Sequence, residues 1–187
     1  MKKEITKKVG IWILALALFM AHIFFRSIAH ADEGSGWRKM YSKSGECVID
    51  FPSAPQMVEQ SVKLADTGQR LNYDIYLAPY EDKGVFLLLI ATYPLPLSGG
   101  HEVAGLEGLL KGIVGHSPDH SLIFADLVDY HGHPALNFLI QGQMSYFRGQ
   151  AVMVGNKLFL IAMEGRKESM QENIFTRFLK SFQLLVN

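Results

Sequence analysis

The chain has 187 residues, with 18 basic and 18 acidic side chains and apolar residues at 49% of positions. Outside the first residues it has no Lys or Arg cluster of the kind that holds phosphates, so nucleic acid is not an expected partner. One cysteine, Cys47, excludes an internal disulfide framework, and stability has to come from a hydrophobic core.

The N-terminal stretch reads as an address. Met1 to Gly10 carries Lys2, Lys3, Lys7 and Lys8, and Ile11 to Phe25 is apolar except for His22. Ala29 and Ala31 then supply an A-x-A cleavage site. Basic, apolar, small is the secretory layout, which predicts a signal peptide over residues 1–31. The apolar run falls short of the roughly 20 residues a membrane-crossing helix needs. Extended back to Val9, it gives the alternative of an uncleaved signal anchor over residues 9–25, the chain's one expected route to a membrane. Either way the chain is expected to be exported, periplasmic or secreted. Cleavage leaves 13 basic and 17 acidic residues, a formal charge of −4. Residues 32–36 form a polar linker and 37–187 a single α+β domain.

In the domain, Trp37–Tyr41 and Glu46–Phe51 read as strands, stopped by Pro52 and Pro55, because proline has no N–H to donate. Within the second, Cys47 is expected to pack as a small apolar residue. Gln56–Lys63 and Gln69–Ala78 alternate apolar and polar, as strands with one wet face do. Val85–Tyr93 is apolar on both faces and belongs near the middle of a sheet. A helix is predicted over Glu102–Gly115. Its stripe of Val103, Leu106, Leu109, Leu110, Ile113 and Val114 lies opposite Gly105, Gly108, Gly112 and Gly115. Those glycines mark either a surface for close approach or a helix held only by its apolar side.

Ser121–Tyr130 and Ala135–Gly142 are strands around a turn at His131–Pro134. Tyr146–Gly165 is a hairpin turning at Gly155-Asn156, with arms Val152–Val154 and Leu158–Met163 apolar on both faces. Ser169 with Glu172 three residues on forms a capping box for a last helix striped by Met170, Ile174, Phe175, Phe178 and Leu179. Ser181–Val186 closes the chain as a strand. Strands in hairpin order with two helices predict an antiparallel β-sheet flanked by helices, covered on more than one side.

Four short patterns carry a family likeness. They are Gly45–Pro55 with its proline-punctuated stop, the turn Gly132-His133-Pro134-Ala135, Arg148 leading into the hairpin with Asn156–Leu160, and Phe178–Phe182 at the end. On these residues the chain resembles the PsbP-like (PsbP/DcrB-like) family of α/β/α sandwich proteins. The resemblance implies an antiparallel sheet flanked by helices, and binding or assembly more often than catalysis. It carries over no catalytic residue.

Candidate chemistry is sparse. His116, His120, His131 and His133 are candidate metal ligands, because imidazole nitrogens suit zinc and copper; the competing reading is turn histidines in solvent. There is no G-x-S-x-G elbow, and Gly99-Gly100 lacks the Gly-Lys-Ser/Thr of a phosphate loop. Glu81-Asp82 falls in a turn, and Asp126 and Asp129 fall on opposite strand faces, so neither makes a catalytic pair. Tyr73, Tyr76, Tyr80, Tyr93, Tyr130 and Tyr146 read as edge-of-core residues with wet hydroxyls, the alternative being an aromatic binding face. No catalytic residue and no cofactor beyond a metal is expected. The expected function is a non-enzymatic binding or scaffold domain of the cell envelope, with an envelope protein, lipid or small ligand as partner. The alternative is a metal-binding protein or an enzyme with an unrecognised site near the histidine-bearing loops.

Overall fold

The computed structural model describes residues 36–44, 46–63, 68–94 and 101–185. The predicted signal peptide, and the predicted linker up to residue 35, lie outside the described residues. Ten strands and two helices are described: β1 Arg38–Tyr41, β2 Cys47–Phe51, β3 Gln56–Lys63, β4 Arg70–Tyr80, β5 Gly84–Thr92, α1 His101–Val114, β6 Ser121–Tyr130, β7 His133–Gln141, β8 Ser145–Val154, β9 Lys157–Arg166, α2 Glu172–Ser181 and β10 Gln183–Leu184.

The main sheet has seven antiparallel strands in the order β3-β4-β5-β9-β8-β7-β6. Its centre is the β5–β9 pair, in register from Gly84↔Gly165 to Thr92↔Lys157. Both strands are buried almost throughout, as their unbroken apolar runs require. Backbone approach at one end of this pair is close: a Cβ on Gly84 would meet the Glu164 carbonyl oxygen at 2.3 Å.

The β8–β9 hairpin turns at Gly155-Asn156, with Gly155 alone at positive φ, +59°. That is the pattern of a type II′ turn, whose first central residue favours glycine. Asn156 uses its side chain instead. Its Nδ2 donates to the Tyr93 carbonyl at 2.8 Å while its own carbonyl accepts from the Tyr93 N–H at 2.8 Å. The turn of one hairpin thus fastens the end of β5.

Each face of the sheet has its own core. On the first, Leu106, Leu109 and Ile113 of α1 pack with Ile75, Leu89, Phe138 and Leu160. On the second, Phe175 and Phe178 of α2 and Cys47, Ile49 and Phe51 of β2 pack on Phe86, Leu88, Phe159 and Ile161. Phe178 is the hub of the second core, with ring centroids 4.7 Å from Phe86, 5.2 Å from Phe51 and 6.4 Å from Trp37.

Four expectations are revised. The N-terminal hairpin does not join the main sheet: β1, β2 and β10 form a second sheet of three strands. The final strand is two residues long, because helix α2 continues through Ser181. Ser169 lies in a turn before α2, and the N-cap is Gln171, without a side-chain cap bond. Glu172 binds Arg148 of β8 rather than closing a capping box. On α1, Gly105 and Gly112 are buried beside Leu109, so the glycine stripe is partly inward and not wholly opposite the apolar one.

Replacing Phe178 by Ala removes a fully buried ring at this hub. The expected loss is about 3–5 kcal/mol in urea unfolding. A loss below about 1 kcal/mol would show that α2 and the small sheet are not held by this cluster.

Candidate functional site

The main sheet ends in two different edges. On β3 the exposed side chains are mostly polar, including Glu59 and Lys63, and Lys43 pairs with Glu59. Such charges on an edge strand discourage pairing with another chain. On β6 the exposed side chains include Leu122, Ile123 and Leu127, at 44%, 52% and 57% exposure. Those are three of the seven large apolar residues exposed among the described residues, and they share one strand. No described strand pairs with the outer side of β6.

The sequence explains this edge. Leu122, Ala125 and Leu127 are apolar, and their cross-strand partners on β7, Ile140, Phe138 and Leu136, are buried. The register shifts between Leu122 and Phe124, a bulge that leaves Ile123 over. Beyond the bulge, Phe124 to Tyr130 pairs regularly with β7. No Lys or Arg occurs between Lys111 and Arg148, whereas Asp119, Asp126 and Asp129 do.

A polar row runs inward from this edge. Asp126 on β6 stands opposite Asn137 on β7, which stands opposite Gln150 on β8. Asp126 is exposed, Asn137 half-buried and Gln150 only 7% exposed. Gln150 Nε2 donates to Asn137 Oδ1 at 2.7 Å, and its Oε1 is buried with no partner. One buried orphan acceptor costs about 1–3 kcal/mol. Arg148, on the same face of β8, pairs with Glu172 and lies 4.8 Å from the Phe175 ring centroid. This row offers hydrogen bonds and charge. The signal for it in the sequence was a lone amide inside the apolar run of β8.

The four candidate histidines do not meet. His116 and His120 lie before β6, and His131 and His133 lie at its far end. Ten extended residues separate the pairs by about 30 Å. The strand predicted over Ser121–Tyr130 is β6, and it holds the two pairs at opposite ends. His116 and His120 face each other with ring centroids 6.3 Å apart, and His120 Nδ1 lies 2.9 Å from the Ile113 carbonyl. His131 occupies the β6–β7 turn at φ +52° and packs edge-on against Tyr130. Among the described residues, no group of three or more His, Cys, Asp and Glu side chains is placed to hold a metal ion.

The tyrosines divide. Tyr73 and Tyr76 are core residues on opposite faces of β4, which corrects their placement at a wet edge. The Tyr73 hydroxyl is buried without a partner, and the Tyr76 hydroxyl accepts from the Lys43 N–H at 2.8 Å. No single aromatic face is built from the six. Cys47 is fully buried, as its apolar neighbours predicted.

No protein-family model matches the chain, and no curated protein matches it. Solved structures do. Cyanobacterial PsbP (CyanoP) from Synechocystis sp. PCC 6803 aligns with a TM-score of 0.53 at 13% identity, over 84% of this chain and 99% of that one. A protein from Bacteroides thetaiotaomicron aligns at TM-score 0.43 and 12% identity, over 82% of this chain and 50% of that one. A Pseudomonas aeruginosa protein of unknown function aligns at TM-score 0.41 and 9% identity, over 81% and 96%. The likeness to CyanoP shows a shared fold: the chain has a PsbP-like α+β architecture. Among the described residues, no helix is long and apolar enough to cross a membrane.

Burial pushes the Cys47 thiol from about 9 up to about 11, against a smaller downward pull from the Ser42 hydroxyl. A thiol raised by folding adds stability that is full below pH 9 and is lost as the pH climbs toward 11. Iodoacetamide at neutral pH is therefore expected to label Cys47 only after denaturant unfolds the protein. Labelling of the native protein at the rate of a free thiol would contradict this burial.

Proposed function

We propose that the protein is an exported, non-enzymatic binding or scaffold domain of the cell envelope, and that its contact surface is the β6 edge. One observation carries the reading: Leu122, Ile123 and Leu127 stand exposed on an edge strand with no described neighbour. An unprotected edge with apolar side chains is a template for pairing with another chain. The basic, apolar, small-residue N-terminal sequence supports export. The PsbP-like fold supports it only as an architecture on which binding roles are built.

The other reading, a metal-binding protein or an enzyme near the histidine loops, keeps one assembled element, the His116–His120 pair. Two imidazoles are fewer than the three protein ligands of a catalytic zinc site. The edge reading rests on more of the surface.

Leu127→Asp places a charge on the exposed apolar row without touching either core. In parallel pull-downs from envelope extract, at least one partner captured by the native protein is expected to be lost with this variant, while both proteins melt within a few degrees of each other. An identical capture profile for the two would contradict the edge as the contact surface.

A further inference from the structure

We infer that the β6 edge takes an extended segment of another protein in which basic residues recur every third position with two apolar residues between them. The inference rests on the proposed binding role and names the chemistry of the partner. It comes from the order of side chains past the bulge: Phe124-Ala125-Asp126-Leu127-Val128-Asp129. Residues directly opposite each other on paired strands interact on the same face. A strand added to the outer side of β6 therefore meets a carboxylate at Asp126, two apolar side chains at Leu127 and Val128, and a carboxylate again at Asp129. Its complement is basic, apolar, apolar, basic, whether it runs parallel or antiparallel.

The edge is prepared for such a strand. Asp126, Leu127 and Asp129 are exposed and Val128 is half-buried. The stretch from Phe124 to Tyr130 pairs with β7 without interruption, so its backbone is already extended. Among the described residues neither Asp126 nor Asp129 is in a salt bridge; Asp129 Oδ1 accepts from the Gly132 N–H at 2.9 Å, a bond that leaves its charge unneutralised. The two aspartates lie on opposite faces of the strand, Asp126 beside Asn137 and Asp129 beside Pro134. A cation pattern of three, not the ordinary alternation of two, is what that placement selects.

The same features argue against other occupants. A second copy paired through β6 brings no cation to either carboxylate: centred on Asp126 or Asp129 it sets aspartate against aspartate, and centred on Leu127 it sets Asp126 against Val128 and Asp129 against Ala125. An anionic lipid surface would be repelled by the same carboxylates. A neutral apolar strand would leave both carboxylates beside an unmatched neighbour.

The test uses the purified protein and two synthetic peptides, one a Lys-Val-Val repeat and the other a Glu-Val-Val repeat. Fluorescence anisotropy is expected to show binding of the Lys peptide, weakening as salt screens the pairs, and little binding of the Glu peptide. Asp126→Lys is expected to weaken the Lys peptide by at least about tenfold and to improve the Glu peptide. Asp126→Asn, with the same shape, should fall between. Equal binding of the two peptides overturns the charge pattern while leaving the edge as a docking strand. Failure of both peptides, with envelope capture still sensitive to Leu127→Asp, overturns this inference alone. Failure of both with insensitive capture overturns the edge reading too. A dimer in analytical ultracentrifugation that Asp126→Lys strengthens would also overturn it, in favour of a second copy.

Discussion

The β5–β9 pair sets the terms for the rest of the molecule. Nine residue pairs in register place apolar side chains on both faces of the sheet centre. Phe86, Leu88 and Ile90 point one way, and Val85, Leu87, Leu89 and Ala91 the other. A strand pair of that kind is stable only when both faces are withdrawn from water, at roughly 25 cal/mol per Å² of apolar surface buried. One cover is α1, carried across the first face by the β5–β6 connection. The other is composite, made of α2 with the small sheet of β1, β2 and β10. Hydrogen bonds lock this second cover in place. Ser181 Oγ accepts from the Asp50 N–H at 3.0 Å, and the Tyr130 hydroxyl donates to the Phe182 carbonyl at 3.0 Å.

A seven-stranded sheet is wider than a single helix. The covers lie over its centre and touch the outer strands only in part, through Val128 and Tyr130 of β6 on one face and Val58, Val62 and Ala125 on the other, so much of β3 and β6 comes to solvent. At β3 the sequence meets this with polar and charged side chains. At β6 it does not, and the exposed apolar row beside the aspartates follows from that difference. The Asp126–Asn137–Gln150 row reaches inward from the same strand, so an edge contact at Asp126 lies two strands from the orphan acceptor of Gln150. The edge and the row are two sides of one feature: the sheet continues past its cover.

Much of this was legible before any coordinates. Apolar runs without alternation identified β5, β8 and β9 as central, and Gly155-Asn156 identified the turn between the last two. Cys47 in its apolar strand was legible as core. What was not legible depended on long-range choices. Residues 46–51 read as a strand, but nothing local says that β2 pairs with β10 rather than with β3. Ser169 and Glu172 have the spacing of a capping box, and the distant Arg148 outcompeted it for the carboxylate. Glycine positions on α1 gave a stripe, but the depth at which the helix sits decided which glycines were buried. Leu122, Ile123 and Leu127 look like core in any hydropathy pattern. Only the sheet order, which makes β6 an edge, turns them into surface. The strand between the two histidine pairs was legible; that the loop carrying His116 and His120 does not fold back along it was not.

Amide hydrogen exchange tests the central claim most directly, since it reads which strands are closed on both sides. Amides of β5 and β9 should exchange only through global unfolding, while alternate amides of β6 between Phe124 and Tyr130 exchange rapidly from the native state. Uniform slow exchange along β6 would mean that the edge is already occupied in the free protein. Rapid exchange in β5 or β9 would mean that the two-sided core is not what holds the fold.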